Sequence, residues 1–180
     1  MRRSTELRKV EIGGKGMTVI RYCTPEWLEG NASAYRSNPK FQKELEKLST
    51  KVCFKIKAEP DWGIDKAIIF CAFINKGELE RLSFLSEDDA KKEADYILAA
   101  TPQEWKKLIR KDSKFLTDFM LGKIKLEHGS AVGVVGIAPY SNTMVEVLTQ
   151  LDLQFPDEMS PEELEEYRDY LVEFRADLSV

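Results

Sequence analysis

The chain has 180 residues, 43% hydrophobic and 32% charged, proportions that exclude a disordered chain and fit one globular domain. Its 27 basic and 31 acidic residues leave a formal charge of −4, which argues against a nucleic-acid binder. No apolar run is expected to reach a bilayer-crossing length, and residues 1–14 carry charge without the apolar stretch of a secretory leader.

In chain order, residues 15–23 read as a strand. Thr24-Pro25-Glu26 then opens a helix with an N-cap, a proline at the first helical position and an acid in the first turn. Trp27, Leu28 and Tyr35 give that helix an apolar side, which Gly30 weakens. Asn38-Pro39 starts a second helix with Phe41, Leu45 and Leu48 on one stripe. Val52, Phe54 and Ile56 alternate with Lys51, Lys55 and Lys57, as a half-exposed strand does. After a turn at 58–65, the run 67–74 is apolar enough for a central strand, and Asn75-Lys76-Gly77 supplies a hairpin turn. Segments 78–86 and 93–100 complete an expected antiparallel meander of four strands.

Thr101-Pro102-Gln103-Glu104 caps a helix with Trp105, Leu108 and Ile109 on its apolar stripe, and 113–121 forms another that Gly122 stops. Residues 123–126 alternate as a fifth strand. Residues 130–152 are apolar and broken at Pro139. Ser160-Pro161-Glu162-Glu163 opens a last helix with Leu164, Tyr167, Leu171, Phe174 and Leu178 on one face and an acidic face opposite.

Within 94–126 two motifs occur in order. Ala94-Asp95, Leu98, Thr101, Glu104-Trp105 and Leu108 resemble the strand-to-helix segment of the sterol carrier protein type-2 family. Phe119-Met120-x-Gly122-Lys123-Ile124-Lys125-Leu126 resembles that family's F-M-x-G-K-[LI]-K-[IV] segment. The resemblance spans residues 40–150 as a core, with 1–39 as an N-terminal extension and 158–178 as a C-terminal amphipathic helix, all within a single domain 1–180. It implies an α+β fold, a five-stranded mixed and mostly antiparallel sheet covered by helices around a hydrophobic tunnel. It also implies non-catalytic binding or transfer of a fatty acid, fatty acyl-CoA, isoprenoid or sterol-like molecule, with no catalytic residues and no cofactor. The sequence departs from the pattern at Glu127-His128-Gly129 and in the long segment that follows.

On this reading Trp105, Leu108, Phe115, Phe119, Met120, Ile124, Leu126, Val132, Val135, Ile137, Met144 and Leu148 line the tunnel, with Phe119 and Met120 facing inward. The plainer reading of each is ordinary core. Lys107, Arg110 and Lys111, in a basic run with Lys106 and Lys114, are candidates to hold an anionic head group; the plainer reading is a solvated helix face. His128 reads as a solvated turn residue without metal-ligand partners. Gly13-Gly14-Lys15-Gly16 lacks phosphate-loop spacing, and Asn31-Ala32-Ser33 is a formal glycosylation sequon. Cys23, Cys53 and Cys71 read as reduced, buried thiols of a cytoplasmic protein. The rival reading is an accessory subunit with a filled core, whose last helix docks on a second copy or on an enzyme of lipid metabolism.

Overall fold

A computed structural model describes residues 19–180. The Gly13–Gly16 segment and residues 15–18 of the first expected strand lie outside the described residues. The sheet is built from β2 (Thr50–Ile56), β3 (Ile68–Asn75), β4 (Glu78–Phe84), β5 (Tyr96–Ala100) and β6 (Lys125–His128). Their order is β4-β3-β2-β5-β6, which makes a five-stranded mixed sheet. The hairpin at Lys76-Gly77 forms as its residues imply, with φ of 47° and 79°.

The expected meander is corrected at β5. This strand does not follow β4 but runs parallel to β2, with Val52 opposite Tyr96 and Ile56 opposite Ala100. A crossover helix, α3 (Glu87–Glu93), makes this possible. It is capped by Ser86, whose hydroxyl accepts from the Asp89 amide at 3.2 Å, and three acids occupy its first turn. Sequence reading passes over α3 because Ala90 is its only buried residue, too little for an apolar stripe.

Both sheet faces are covered, which explains why β3 is apolar from Ile68 to Ile74. One face carries Cys53, Ile69, Cys71, Phe73 and Ile97 and is covered by α3 through Ala90, with Ala94 just past the helix end. The other carries Val52, Phe54, Phe70, Leu98 and Ala100. It is covered by α1 (Pro25–Arg36), α4 (Pro102–Ile109), α5 (Phe115–Met120), α7 (Ser141–Leu148) and α8 (Pro161–Leu178). Helix α2 (Pro39–Glu44) buries Phe41 beside Leu45 and Leu48 in an adjoining cluster. A two-strand parallel ribbon joins β1 (Ile20–Arg21) to β7 (Leu153–Gln154).

Helix α8 begins with a reciprocal capping box between Ser160 and Glu163. Its apolar stripe packs on its own chain: Tyr167, Leu171 and Phe174 are buried, and the Tyr167 hydroxyl donates to the Tyr22 carbonyl at 2.6 Å. Arg175 donates to the Lys66 and Ala67 carbonyls. Leu178, expected on the same face, is 51% exposed.

Two further expectations are corrected. Cys53 and Cys71 stand directly opposite each other on β2 and β3 and form a disulfide, while Cys23 is a buried free thiol. The helical run Ala131–Leu148, made of α6 (Ala131–Ile137), a 3-10 turn and α7, has 18 residues and a mean hydropathy of 1.3. By length and composition it is long enough to cross a membrane. Here its α7 half covers the sheet.

Candidate functional site

An apolar cavity of about 130 Å3 lies between the sheet and the helices over it. Its floor is aromatic. Trp105 meets Phe54 edge-on at 5.8 Å, Phe54 stacks on Phe70 at 5.1 Å, and Trp27 meets Phe70 edge-on at 5.2 Å. Alternation places these rings: Phe54 and Phe70 are cross-strand partners on one sheet face, with Val52 and Leu98 beside them. Helix α4 is fixed over the floor because the Trp105 indole N–H donates to the Lys55 carbonyl at 3.1 Å. On the far side, α1 presents Trp27, Asn31 and Tyr35, spaced one turn apart, and α7 presents Ser141, Met144, Val145, Val147 and Leu148.

Of the residues expected to line a tunnel, Trp105, Leu108, Phe115, Ile137, Met144 and Leu148 lie on this cavity. Phe119, Met120, Ile124, Leu126, Val132 and Val135 do not. Ile124 is buried core, and Phe119 and Leu126 are half-buried against it. Met120 and Val132 are 73% and 82% exposed, and Val135 is exposed as well. The inward orientation expected of Met120 is therefore corrected. Helix α5 turns Phe115 and Asp118 inward, and the buried Asp118 carboxylate accepts from the Ser113 hydroxyl at 2.5 Å, which leaves Met120 on the outer side.

The cationic candidates lie outside the cavity. Arg110 donates to the Leu153 carbonyl at 3.0 Å and to the Glu158 carboxylate at 3.1 Å, and its guanidinium covers the Phe155 ring. Lys106 pairs with Asp157 at 2.8 Å and Glu158 at 3.2 Å, and Lys107 pairs with Glu104 at 3.1 Å. Lys111 is an exposed residue with φ of 64° just past α4. The basic run thus fastens α4 to the turn Pro156–Glu158. Burial alone pushes Glu158 up, but the Phe155 amide, Lys106 and Arg110 outweigh it and hold the carboxyl below its ordinary range. Lys106 is raised in turn: desolvation lowers it, and Asp157 and Glu158 more than reverse that. His128, read as a turn residue, ends β6 opposite Ile97.

Sequence reasoning misses the contribution of α1, of Tyr22 just after β1, and of the sheet. Tyr22, Trp27, Asn31 and Tyr35 line the cavity from residues set outside the resemblance. The signal is present in the 27-31-35 spacing. It is obscured because Asn31 interrupts the apolar stripe and reads only as part of a sequon. Its side chain is 2% exposed, so the folded chain offers no glycosylation site there.

A mixed five-stranded sheet with helices over an apolar cavity makes this an α+β protein, and comparison with solved structures gives its fold as that of sterol carrier protein 2. No family model and no curated protein matches this sequence. Among solved structures, a conserved hypothetical protein of Thermus thermophilus, regarded as a candidate sterol carrier protein, is similar over 82% of this chain and 98% of its own, with a TM-score of 0.65 and 16% identity. A crystal structure of sterol carrier protein 2 is similar over 71% of this chain and 97% of its own, with a TM-score of 0.60 and 17% identity. The resemblance carried by the two sequence motifs thus extends to the fold.

Proposed function

We propose that the protein is a non-catalytic binder or carrier of lipid-like molecules, taken up in the cavity beneath α1, α4 and α7. The observation that supports this most is the lining: a cavity between sheet and helices with an aromatic floor and no charged side chain among the described residues. Burial of apolar surface at about 25 cal/mol per Å2 is the driving force such a site offers. The proposed contacts are the twelve expected tunnel residues reduced to the six that line the cavity, joined by Trp27, Phe54, Phe70 and Leu98.

The volume sets the scale of the guest. A cavity of about 150 Å3 accommodates one benzene molecule. This one, about 130 Å3, takes a guest of that size as it stands. A long acyl or isoprenoid chain therefore requires a cover to move, and α7 is the proposed cover. Its side-chain ties to α2 are at the surface, Thr143 to Glu44 at 2.7 Å and Lys40 to Glu146 at 3.9 Å. A cytoplasmic site of action would leave Cys53 and Cys71 as two buried thiols.

Native mass spectrometry of the purified chain, followed by extraction and identification of bound molecules, tests the proposal. The wild type is expected to carry or take up a fatty acid, isoprenoid or sterol-like guest from a mixed lipid dispersion. Met144→Asp, on the half-buried inner side of α7, is expected to lower occupancy at least about tenfold, because an unpaired carboxylate then faces the cavity. An apo mass that no lipid changes would instead support the accessory-subunit reading.

A further inference from the structure

Helix α1 turns one side chain of the wrong chemistry into the cavity. Trp27, Asn31 and Tyr35 form its inward stripe, and an amphipathic helix ordinarily keeps such a stripe apolar. Asn31 is 2% exposed, and neither its amide nitrogen nor its carbonyl oxygen has a hydrogen-bond partner among the described residues. The indole nitrogen of Trp27, one turn earlier and fully buried, has none either. Three other polar groups of the lining have partners: the Tyr35 hydroxyl donates to the Gly77 carbonyl, Trp105 to the Lys55 carbonyl, and Ser141 to the Ala138 carbonyl. Two buried polar side chains without partners thus stand one turn apart on α1. A buried carboxamide without partners is costly, so its retention calls for a group that satisfies it.

We infer that Asn31, assisted by Trp27, is the polar anchor of the cavity, and that it selects an uncharged guest with one hydroxyl or un-ionised carboxyl group on an otherwise apolar body. A group of that kind accepts from the Asn31 amide or the Trp27 indole and donates to the Asn31 carbonyl. An ionised carboxylate can only accept, and among the described residues no cation lines the cavity to offset its desolvation. Lys107, Arg110 and Lys111 lie outside. The guest is therefore oriented with its oxygen function inside, at α1, rather than at the basic run of α4.

This inference rests on the cavity accepting apolar guests at all, and the test separates the two. Octan-1-ol, its isomer heptyl methyl ether, and octanoate at pH 8 are titrated calorimetrically into the intact chain and into Asn31→Leu and Asn31→Ala. The wild type is expected to bind the alcohol at least about tenfold more tightly than octanoate. The ratio of alcohol to ether affinity is expected to fall at least about fivefold in both variants, because the ether cannot donate to Asn31. Leucine removes an unpartnered amide, so Asn31→Leu is expected to melt no lower than the wild type; the smaller Asn31→Ala serves if leucine does not fit. An unchanged alcohol-to-ether ratio in a folded variant overturns the anchor and leaves the carrier reading intact. It is the result a purely structural, water-satisfied amide would give. Wild type that takes none of the three guests and no lipid overturns both.

Discussion

Cys53 and Cys71 are separated by 18 residues, a spacing with no meaning until the β2–β3 register is known. The register sets them opposite each other on the α3 side of the sheet, whereas Cys23 lies in the other core cluster. Burial pushes the Cys23 thiol far above its ordinary range, and all three sulfurs are shielded from solvent. A thiol-reactive dye is therefore expected to label none of the cysteines in the native protein. It should label one on unfolding without reductant and three after reduction. Two or more reactive thiols in the unreduced, unfolded chain would show that the pair is open. Gly77 belongs to the same scale. With φ at 79°, a Cβ there would stand 2.6 Å from the Gln42 carbonyl oxygen and 2.9 Å from the Glu46 Cα. The Gly77→Ala variant is expected to lose about 2 kcal/mol or more, read as a drop in Tm of roughly 4–8 °C.

Among the elements, α4 and the turn Pro156–Glu158 are joined by charge. Glu158 has a folded pKa below its ordinary 4.5, so its contribution is complete above that value and is lost as pH falls through the folded one. Lys106 has a folded pKa above its ordinary 10.5, so its contribution is complete below that value and is lost as pH rises through the folded one. The Tm difference between wild type and Glu158→Gln is therefore expected to be steady from about pH 6 to 8 and to shrink below about pH 4.5. A difference independent of pH would mean that the Glu158 charge does not hold this junction. Much at this scale is legible in the sequence. The caps at Thr24, Thr101 and Ser160 mark three helix starts, and Val52, Phe54 and Ile56 share one face of β2, because caps and alternation are local rules; the half-exposed character expected of β2 is not met, since Cys53 on the lysine side is buried under α3. The α3 helix is not legible, since it meets the sheet with one small buried side chain.

At the scale of the molecule, the cavity gathers residues from β2, β3, β4, β5 and several helices, and no single helix supplies it alone. That is why sequence reading concentrates the site at residues 105–148, in and after the family motifs, and places Met120, Val132 and Val135 inside when they face solvent. It is also why α8 is free to be imagined on a partner. Its stripe is regular, but only the assembled chain shows that Tyr22, Phe84 and the 66–67 carbonyls already occupy it. The five strands of the main sheet were determined by the sequence alone, because hydrophobic period and turn residues act over a few neighbours, and the two motifs within 94–126 carried the likeness to sterol carrier protein 2 and the α+β class it implies. The parallel place of β5, the Cys53–Cys71 pair, the outward side of α5 and the isolation of Asn31 in an apolar cavity were decided by tertiary structure. Each depends on which distant segment packs opposite, and no local pattern records that.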